Sequence, residues 1–456
     1  MARAGNTVFY CSECGAESAK WSGQCPVCRE WNTMVEAPKR ATAAAKGAAA
    51  ALRTGAVSPR TLADITAMDE ERTETGIGEF DRVLGGGIVK GSLILVGGDP
   101  GIGKSTLLTQ VCRQLSGSGS DVLYISGEES LAQIKLRAQR IGGFTEHFRL
   151  LCETDLDLIE EVIKKESPSV CIIDSIQTVF KAEANGTPGS ASQIRESTAV
   201  LLALAKGLGI TIIIVGHVTK EGVVAGPRML EHMVDTVLYF EGESQGSRRI
   251  LRSVKNRFGP TNEVGVFEMC SSGLREVKNP SESLLCGRPK DASGTVVSCS
   301  MEGTRPILIE IQALAVKCAG AGPRRSASGF DHNRLCLLAA VLEKRLGLRL
   351  SDCDIYLNIV GGLKVSDPAL DLAAALSLCS SYLDFVIPSD VVVIGEVGLS
   401  GEIRSTGNMQ ARVLEAKRLG FTSCVVPKTA YSTLRKTEGI SLIYADNLVS
   451  AAQRFS

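Results

Sequence analysis

The stretch SLILVGGDPGIGKSTLLTQVCRQL, residues 92–115, restricts the fold more than any other part of the chain. SLILVGG is a short apolar run closed by glycines, which is the pattern of a buried strand. KSTLLTQVCRQL places Leu107, Leu108, Val111 and Leu115 at helical spacing. Between them, Gly98-x-x-x-x-Gly103-Lys104-Ser105 is the P-loop pattern in the strand–loop–helix context it requires. Backbone N–H groups from Gly98, Asp99, Pro100 (which lacks one), Gly101, Ile102, Gly103, Lys104, Ser105 and Thr106 frame a phosphate cradle at a helix N-terminus. Lys104 neutralises the β- and γ-oxygens and Ser105 offers its hydroxyl to Mg2+, so ATP and magnesium are the expected ligands.

A phosphate grip serves kinases, transporters and motors alike, and neighbouring acids narrow the choice. DVLYISGEES reads as a strand, Val122 to Ser126, delivering Glu128 and Glu129. SVCIIDSIQ reads as a second strand ending on Asp174, the arrangement that holds magnesium through water. One of the paired glutamates can polarise the attacking water, and the spacing alone does not choose between them. Acids are also favoured at a helix start, the plainer account of the pair. ITIIIVGHVTK ends a third strand on His217, either a γ-phosphate sensor or a polar loop residue. The segments KAEANGTPGSASQ and EGVVAGPR, the latter with Gly222 and Gly226, carry no core material and are expected to be flexible loops. In SRRILRSVKNRFGP, the residues Arg248, Arg249, Arg252, Lys255 and Arg257 are uninterrupted by any acid. Read as a strand, Lys255 and Arg257 share a face aimed at phosphate, from nucleic acid or from a neighbouring subunit's nucleotide. A solvated basic edge strand is the alternative.

Four cysteines at the front, Cys11, Cys14, Cys25 and Cys28, form two C-x-x-C pairs with the spacing of a tetrahedral zinc site. The segment is too short to bury a core, so Zn2+ would supply most of its folding energy. A redox pair is the competing account, but it needs only one C-x-x-C. The remaining cysteines, from a total of 15, lie singly in apolar segments, which suits a reducing, cytoplasmic compartment. No run has signal-peptide or membrane-span character. Lysines plus arginines equal aspartates plus glutamates at 50 each, so any nucleic-acid surface must be local. The Ala-, Gly-, Lys- and Arg-rich EAPKRATAAAKGAAAALRTGAVSPRT reads as a basic linker.

In this order CSECG…CPVC, GGDPGIGKST, SGEES, VCIIDS and above all KNRFG, Lys255 to Gly259, resemble the RadA (Sms) DNA repair proteins, bacterial relatives of RecA. The resemblance runs nearly the whole chain. It implies an α/β fold: a RecA-like P-loop ATPase core with a mainly parallel sheet, an N-terminal zinc ribbon and a C-terminal α+β Lon-protease-like domain. The expected boundaries are residues 1–33 for the ribbon, 34–65 for the linker, 66–285 for the ATPase and 286–456 for the Lon-like domain. It further implies a DNA-dependent ATPase and helicase, a ring, expected as a homohexamer, acting on single-stranded and branched DNA and promoting branch migration in recombinational repair. Recombinase or replication proteins are candidate partners, and no membrane is involved. Carried over by position, Lys104 and Ser105 hold nucleotide and magnesium, Glu128 falls at the catalytic glutamate, and Lys255 and Arg257 extend into the neighbour's ATP site.

The Lon-like resemblance raises proteolysis by a Ser–Lys dyad, and the residues argue against it. Pro368 falls where proteolytic members carry the serine, and Gln410 where they carry the lysine. Ser366 is out of register. A signalling ATPase or small-molecule kinase needs neither the ribbon nor KNRFG. Arg324 and Arg325 in GPRRSASG are either a DNA contact or an exposed flexible loop.

Overall fold

The computed structural model describes residues 9–11, 17–18, 20–26, 29–31, 33–36, 72–184, 186–217, 230–242, 247–290, 292–318, 322–362, 364–435 and 437–455. The basic linker, Gly222, Gly226, Cys14 and Cys28 lie outside them. The chain forms two compact units, Met1–Glu276 and Val277–Ser456. The division falls one short helix, Pro280–Leu285, before the boundary read from the sequence. Ser281 of that helix accepts from Leu308 N–H at 3.0 Å and donates to Glu415 at 2.9 Å, both within the second unit.

At the front of the first unit, β1 (Phe9–Cys11), β2 (Glu17–Ser18) and β3 (Met34–Glu36) make a small antiparallel sheet in the order β2-β1-β3. The bulk of the unit begins with β4 (Arg72–Thr73), helix α1 (Gly78–Leu84) and β5 (Ile88–Val89). The chain then alternates: β6 (Leu93–Gly98), α2 (Lys104–Gly117), β7 (Val122–Ser126), α3 (Leu131–Ile141), β8 (Phe148–Cys152), α4 (Leu156–Glu166), β9 (Val170–Asp174), α5 (Ala191–Leu208), β10 (Thr211–His217) and β11 (Thr236–Glu241). Three antiparallel strands close the sheet: β12 (Arg248–Asn256), β13 (Val264–Cys270) and β14 (Gly273–Glu276). The nine strands run β14-β13-β12-β11-β6-β10-β9-β7-β8, with β11 to β8 parallel.

The central strands are apolar throughout because both faces are covered. Alternation sends Ile94, Val96 and Tyr124 into one core with α2 and Phe80, and Leu93, Leu95 and Leu123 into another with α4 and α5. Ser130 starts α3 through a capping box with Gln133, satisfying amides the helix cannot. The segment 181–193, expected to be a flexible loop, is pinned: the side chain of buried Gln193 accepts from Lys181 N–H at 2.9 Å and donates to Ala184 O at 2.8 Å.

The second unit, after α6 (Pro280–Leu285), contains β15 (Thr295–Glu302), β16 (Arg305–Lys317), β17 (Arg325–Ser328), α7 (His332–Leu346), β18 (Cys353–Ile359), α8 (Asp371–Leu383), β19 (Val391–Val393), the β20 (Glu396–Val397) and β21 (Ile403–Arg404) hairpin, α9 (Met409–Arg418), β22 (Ser423–Pro427) and β23 (Ser441–Ala445). Its mixed sheet runs β17-β18-β16-β15-β19-β22-β23 with a core on each face. Arg325 does not sit in a loose loop; it opens β17, which pairs with β18, while Arg324 N–H donates to Asp354 at 2.7 Å.

Candidate active site

The parallel strands bring Lys104, Glu128, Asp174 and His217 to one edge, their C-terminal ends, where open α/β sheets bind ligands. Register sets the geometry: Gly98 lies opposite His217, and Ser126 opposite Asp174, so Glu128 sits just beyond the tip of β7. The phosphate loop bridges β6 and α2 with Gly98, Gly101 and Gly103 at positive φ. A Cβ on Gly98 would meet Phe240 O at 2.5 Å, so only glycine fits beside β11 there. Ile102 is buried and anchors the loop, whereas Pro100 and Gly101 form its exposed crest.

Lys104 is almost fully buried, and its Nζ donates to Gly98 O at 2.8 Å and Asp99 O at 3.0 Å. Burial lowers its pKa, against the pull of Asp174, Glu128 and Asp99. Its Nζ also lies 3.2 Å from His217 Nδ1. The ammonium has only protons to give, so Nδ1 accepts and the ring proton resides on Nε2. That Nε2 is 3.2 Å from a Glu128 carboxylate oxygen, which also accepts from the Ser175 hydroxyl. The His217 imidazole beside it, foremost, and then the Ser175 hydroxyl hold the Glu128 carboxyl down at about 2, outweighing its partial burial. Glu129 faces elsewhere: it pairs with Arg137 of α3 and its N–H donates to Ser126 Oγ at 3.0 Å. The geometry therefore separates two acids that the sequence left equivalent.

Asp174 is buried and takes a 2.5 Å hydrogen bond from the Tyr124 hydroxyl. Burial first, then the carboxylate, pushes that phenol well up. Ser105 stands in the first turn of α2. A hydroxyl and a carboxylate are hard oxygen donors suited to magnesium, and the two residues fit that ion.

The basic cluster on β12 does not present one face. Register pairs β12 with both β11 and β13, so it is no edge strand. Arg249 is buried and donates from Nε to Ile102 O at 3.1 Å, bracing the phosphate loop from below. Arg252 lies 3.6 Å from Glu241. The strand ends at Asn256 after an irregularity at Val237/Leu238, so Arg257 lies beyond it instead of sharing a face with Lys255. Their side chains still converge: Lys255 Nζ donates to Glu231 O at 2.6 Å and Val234 O at 2.9 Å, and Arg257 is 3.6 Å from Asp235. Burial and the Arg257 charge lower the Lys255 pKa. Asn256 explains much of the KNRFG motif, since its side chain donates to Leu84 O at 3.0 Å and accepts from Phe258 N–H at 3.0 Å.

In the ribbon, Cys11 and Cys25 are buried in one small cluster with Met34. Cys25 N–H donates to Glu30 O at 2.9 Å and Arg29 N–H to Cys25 O at 3.0 Å, a tight turn around the second C-x-x-C. Two sheltered thiols, one ending β1 and one in that turn, fit a thiolate-bound metal.

In the second unit Pro368 sits in a short 3-10 turn, preceded by Asp367. Gln410 is in the first turn of α9 and lines a groove with Ser405, Thr406 and Asn408. The charged groups flanking these positions neutralise one another: buried Arg412 lies 2.7 Å from Asp367, and its Nε donates to Gly407 O at 3.0 Å.

Strand order, phosphate loop, buried lysine and acidic strand tips together define a P-loop ATPase domain of the RecA-like type. Family profiles agree in three places: one described as AAA domain matches residues 58–223, one as Rubredoxin metal binding domain matches residues 9–36, and one as Subunit ChlI of Mg-chelatase matches residues 337–430. Among similar curated proteins, one from Bacillus subtilis (strain 168) is 52% identical over 97% of each chain, and one from Halalkalibacterium halodurans is 51% identical over 92% of each. One from Listeria monocytogenes is 50% identical over 100% of this chain and 99% of its own. All three are named DNA repair protein RadA, and the present chain belongs to the RadA family.

Tyr124, Ser175 and Asp235 escaped the sequence reading, and Arg249 was read there only as one of a basic cluster, without its contact to the phosphate loop. Asp235 left a signal, a lone acid entering the apolar run MVDTVLYF.

Proposed function

We propose that the chain is a DNA-stimulated ATP hydrolase that processes single-stranded and branched DNA in recombinational repair, working as a ring-shaped translocase or helicase. The observation that carries this reading is the placement of Lys255 and Arg257. Val237 pairs with both Lys255 and Leu95, while Phe240 pairs with Gly98, so Lys255 lies toward the end of the sheet away from its own phosphate loop. Their charges serve an ATP phosphate only in a neighbouring subunit, which makes hydrolysis depend on assembly in the manner of an arginine finger.

Within one subunit Lys104 binds the phosphates, and Ser105 and Asp174 hold magnesium, which supplies charge neutralisation on the transferring phosphoryl group. Glu128, ionised at neutral pH and free of the Arg137 pairing that occupies Glu129, orients the attacking water. His217 links Lys104 to Glu128 and relays occupancy of the phosphate site to the strand tip. The DNA substrate rests on the name of the relatives. Binding to single strands by basic groups would be salt-sensitive. The Lon-like unit acts as a scaffold, because Pro368 and Gln410 replace a dyad and the flanking Asp367 and Arg412 are engaged with each other and with the surrounding backbone. The ribbon takes zinc and docks a recombinase or replication protein. Buried cysteines such as Cys112, Cys171, Cys379 and Cys424 are free thiols, in keeping with the cytoplasm.

The test is ATP turnover by purified protein with and without single-stranded DNA, with Lys104→Ala as control. Stimulation lost in the control supports the reading. No stimulation, together with no DNA retention at low salt, overturns it. Casein hydrolysis would revive the protease.

A further inference from the structure

Asp235 is a carboxylate buried at the foot of the sheet, with side-chain exposure of only 4%. It enters an apolar run between Val234 and Thr236, where burying an ion is costly unless several groups compensate it. Three do. Leu93 N–H, at the start of β6, donates to its Oδ2 at 3.1 Å, and Lys206 Nζ from α5 reaches the same oxygen at 2.8 Å. Arg257 lies 3.6 Å from Oδ1. The backbone repeats the connection, since Arg257 N–H donates to Asp235 O at 3.2 Å. Lys255 binds the carbonyls of Glu231 and Val234, the turn that delivers Asp235. Lys206, Asp235 and Arg257 line an open groove of about 440 Å³ with His232 and Met233.

Asp235 touches Leu93, the first residue of β6, whereas the phosphate loop begins at Gly98, the last. Five strand residues at about 3.3 Å each put roughly 16 Å between them, too far for Asp235 to act on its own nucleotide. Its carboxylate instead faces Arg257, one of the two cations assigned to the neighbour's ATP, while the turn that delivers it supplies the carbonyls that hold the other, Lys255. Without a fixed base, a guanidinium on a mobile terminus loses the geometric precision that transition-state stabilisation needs.

We propose that Asp235 is the positioning residue for the Lys255–Arg257 pair, fixing from within one subunit the cations that complete the ATP site of the next. This rests on the reading that the pair acts in trans. Lys206 and Arg257 share the carboxylate, and Lys255 is held beside them by the carbonyls of Glu231 and Val234.

Asp235→Asn tests it. Asparagine keeps an acceptor for Leu93 N–H and removes the charge that holds Arg257. The expected result is unchanged retention of a fluorescent nucleotide and a fall in ATP turnover of about tenfold or more. The decisive measurement mixes subunits with distinct tags. Asp235→Asn subunits keep a sound phosphate loop and Lys104→Ala subunits keep a sound pair of cations. Mixed rings therefore contain complete sites, and turnover should rise well above the sum of the two variants assayed apart. A residue that merely supported its own fold would show no such recovery. A parallel mixture of Arg257→Ala with Lys104→Ala tests the trans reading by itself. Recovery there without recovery for Asp235→Asn overturns the positioning role alone. No recovery in either mixture overturns the trans reading and the proposal with it. Full activity of Asp235→Asn alone, or loss of its nucleotide binding, also overturns the proposal.

Discussion

The two units of this chain both bury charge, and they use it in opposite ways. In the ATPase unit the central cation, Lys104, donates to the carbonyls of Gly98 and Asp99 and lies 3.2 Å from His217 Nδ1, and among the described residues no lysine or arginine closes on Glu128 or Asp174. In the second unit Arg412 is closed on Asp367, and Arg334 on Asp371 with Nε–Oδ1 at 2.9 Å. The first arrangement keeps charge in reserve for a ligand; the second uses it up within the fold.

Experiments can break or sharpen this contrast. The largest effect expected is from Lys104→Ala, which should reduce ATP turnover by at least about 10³-fold, read in a steady-state phosphate-release assay. Glu128→Gln should cost on the order of 10²-fold in turnover with nucleotide binding retained. Glu129→Gln should stay within about threefold, because its partner is Arg137 and not the phosphate site. Equal losses from the two glutamates would dissolve the separation drawn here.

In the second unit, Arg412→Met should leave the largely sheltered Asp367 without a cation, held only by the N–H groups of Met301 and Ala369, costing about 3 kcal/mol in the denaturation of that unit. The double variant Asp367→Leu with Arg412→Met should recover part of that loss by removing the uncompensated charge, while the Met301 and Ala369 N–H groups and the Cys299 and Gly407 carbonyls lose their partners. Denaturant titration followed by circular dichroism reads both. No recovery in the double variant would mean that the loss came from the other contacts of Arg412 and not from the uncompensated charge.

The smallest effect is one of pH. Glu128 has a folded pKa near 2 against an ordinary 4.5, so its ionised form is favoured by folding. That contribution is fully present above about 4.5 and is lost as pH falls toward about 2. Glu128→Gln should flatten this part of the acid-stability curve. His217→Ala should move it upward toward the ordinary carboxylate range. Identical curves for the variants and the parent protein would mean that the imidazole contact is not formed in solution.

Much of the site was legible before any coordinates because its parts are local. The phosphate loop is a contiguous run whose glycines, lysine and hydroxyl have fixed offsets, and β7, β9 and β10 announce themselves as apolar runs ending on a polar residue. Cys11 and Cys25 likewise follow from spacing. The basic cluster was harder. Alternation on one strand cannot show that β12 ends at Asn256 or that Arg249 turns inward to Ile102. The loop at 181–193 looked unstructured because the residue that pins it, Gln193, belongs to the following helix.

By itself the sequence determined the ATPase class, the candidate zinc ligands and the expected loss of the protease dyad, because each depends on residue types at short, fixed separations. The tertiary structure decided which glutamate faces the phosphate site, which arginine braces the loop, and where the KNRFG cations gather. Those outcomes depend on strand order and register. Asp174 and Ser126 come level only because β9 pairs with β7, and Asp235 meets Leu93 and Arg257 only because β11 lies between β6 and β12. No spacing along the chain encodes such meetings; they arise when distant segments share a sheet and a buried charge must find its partners there.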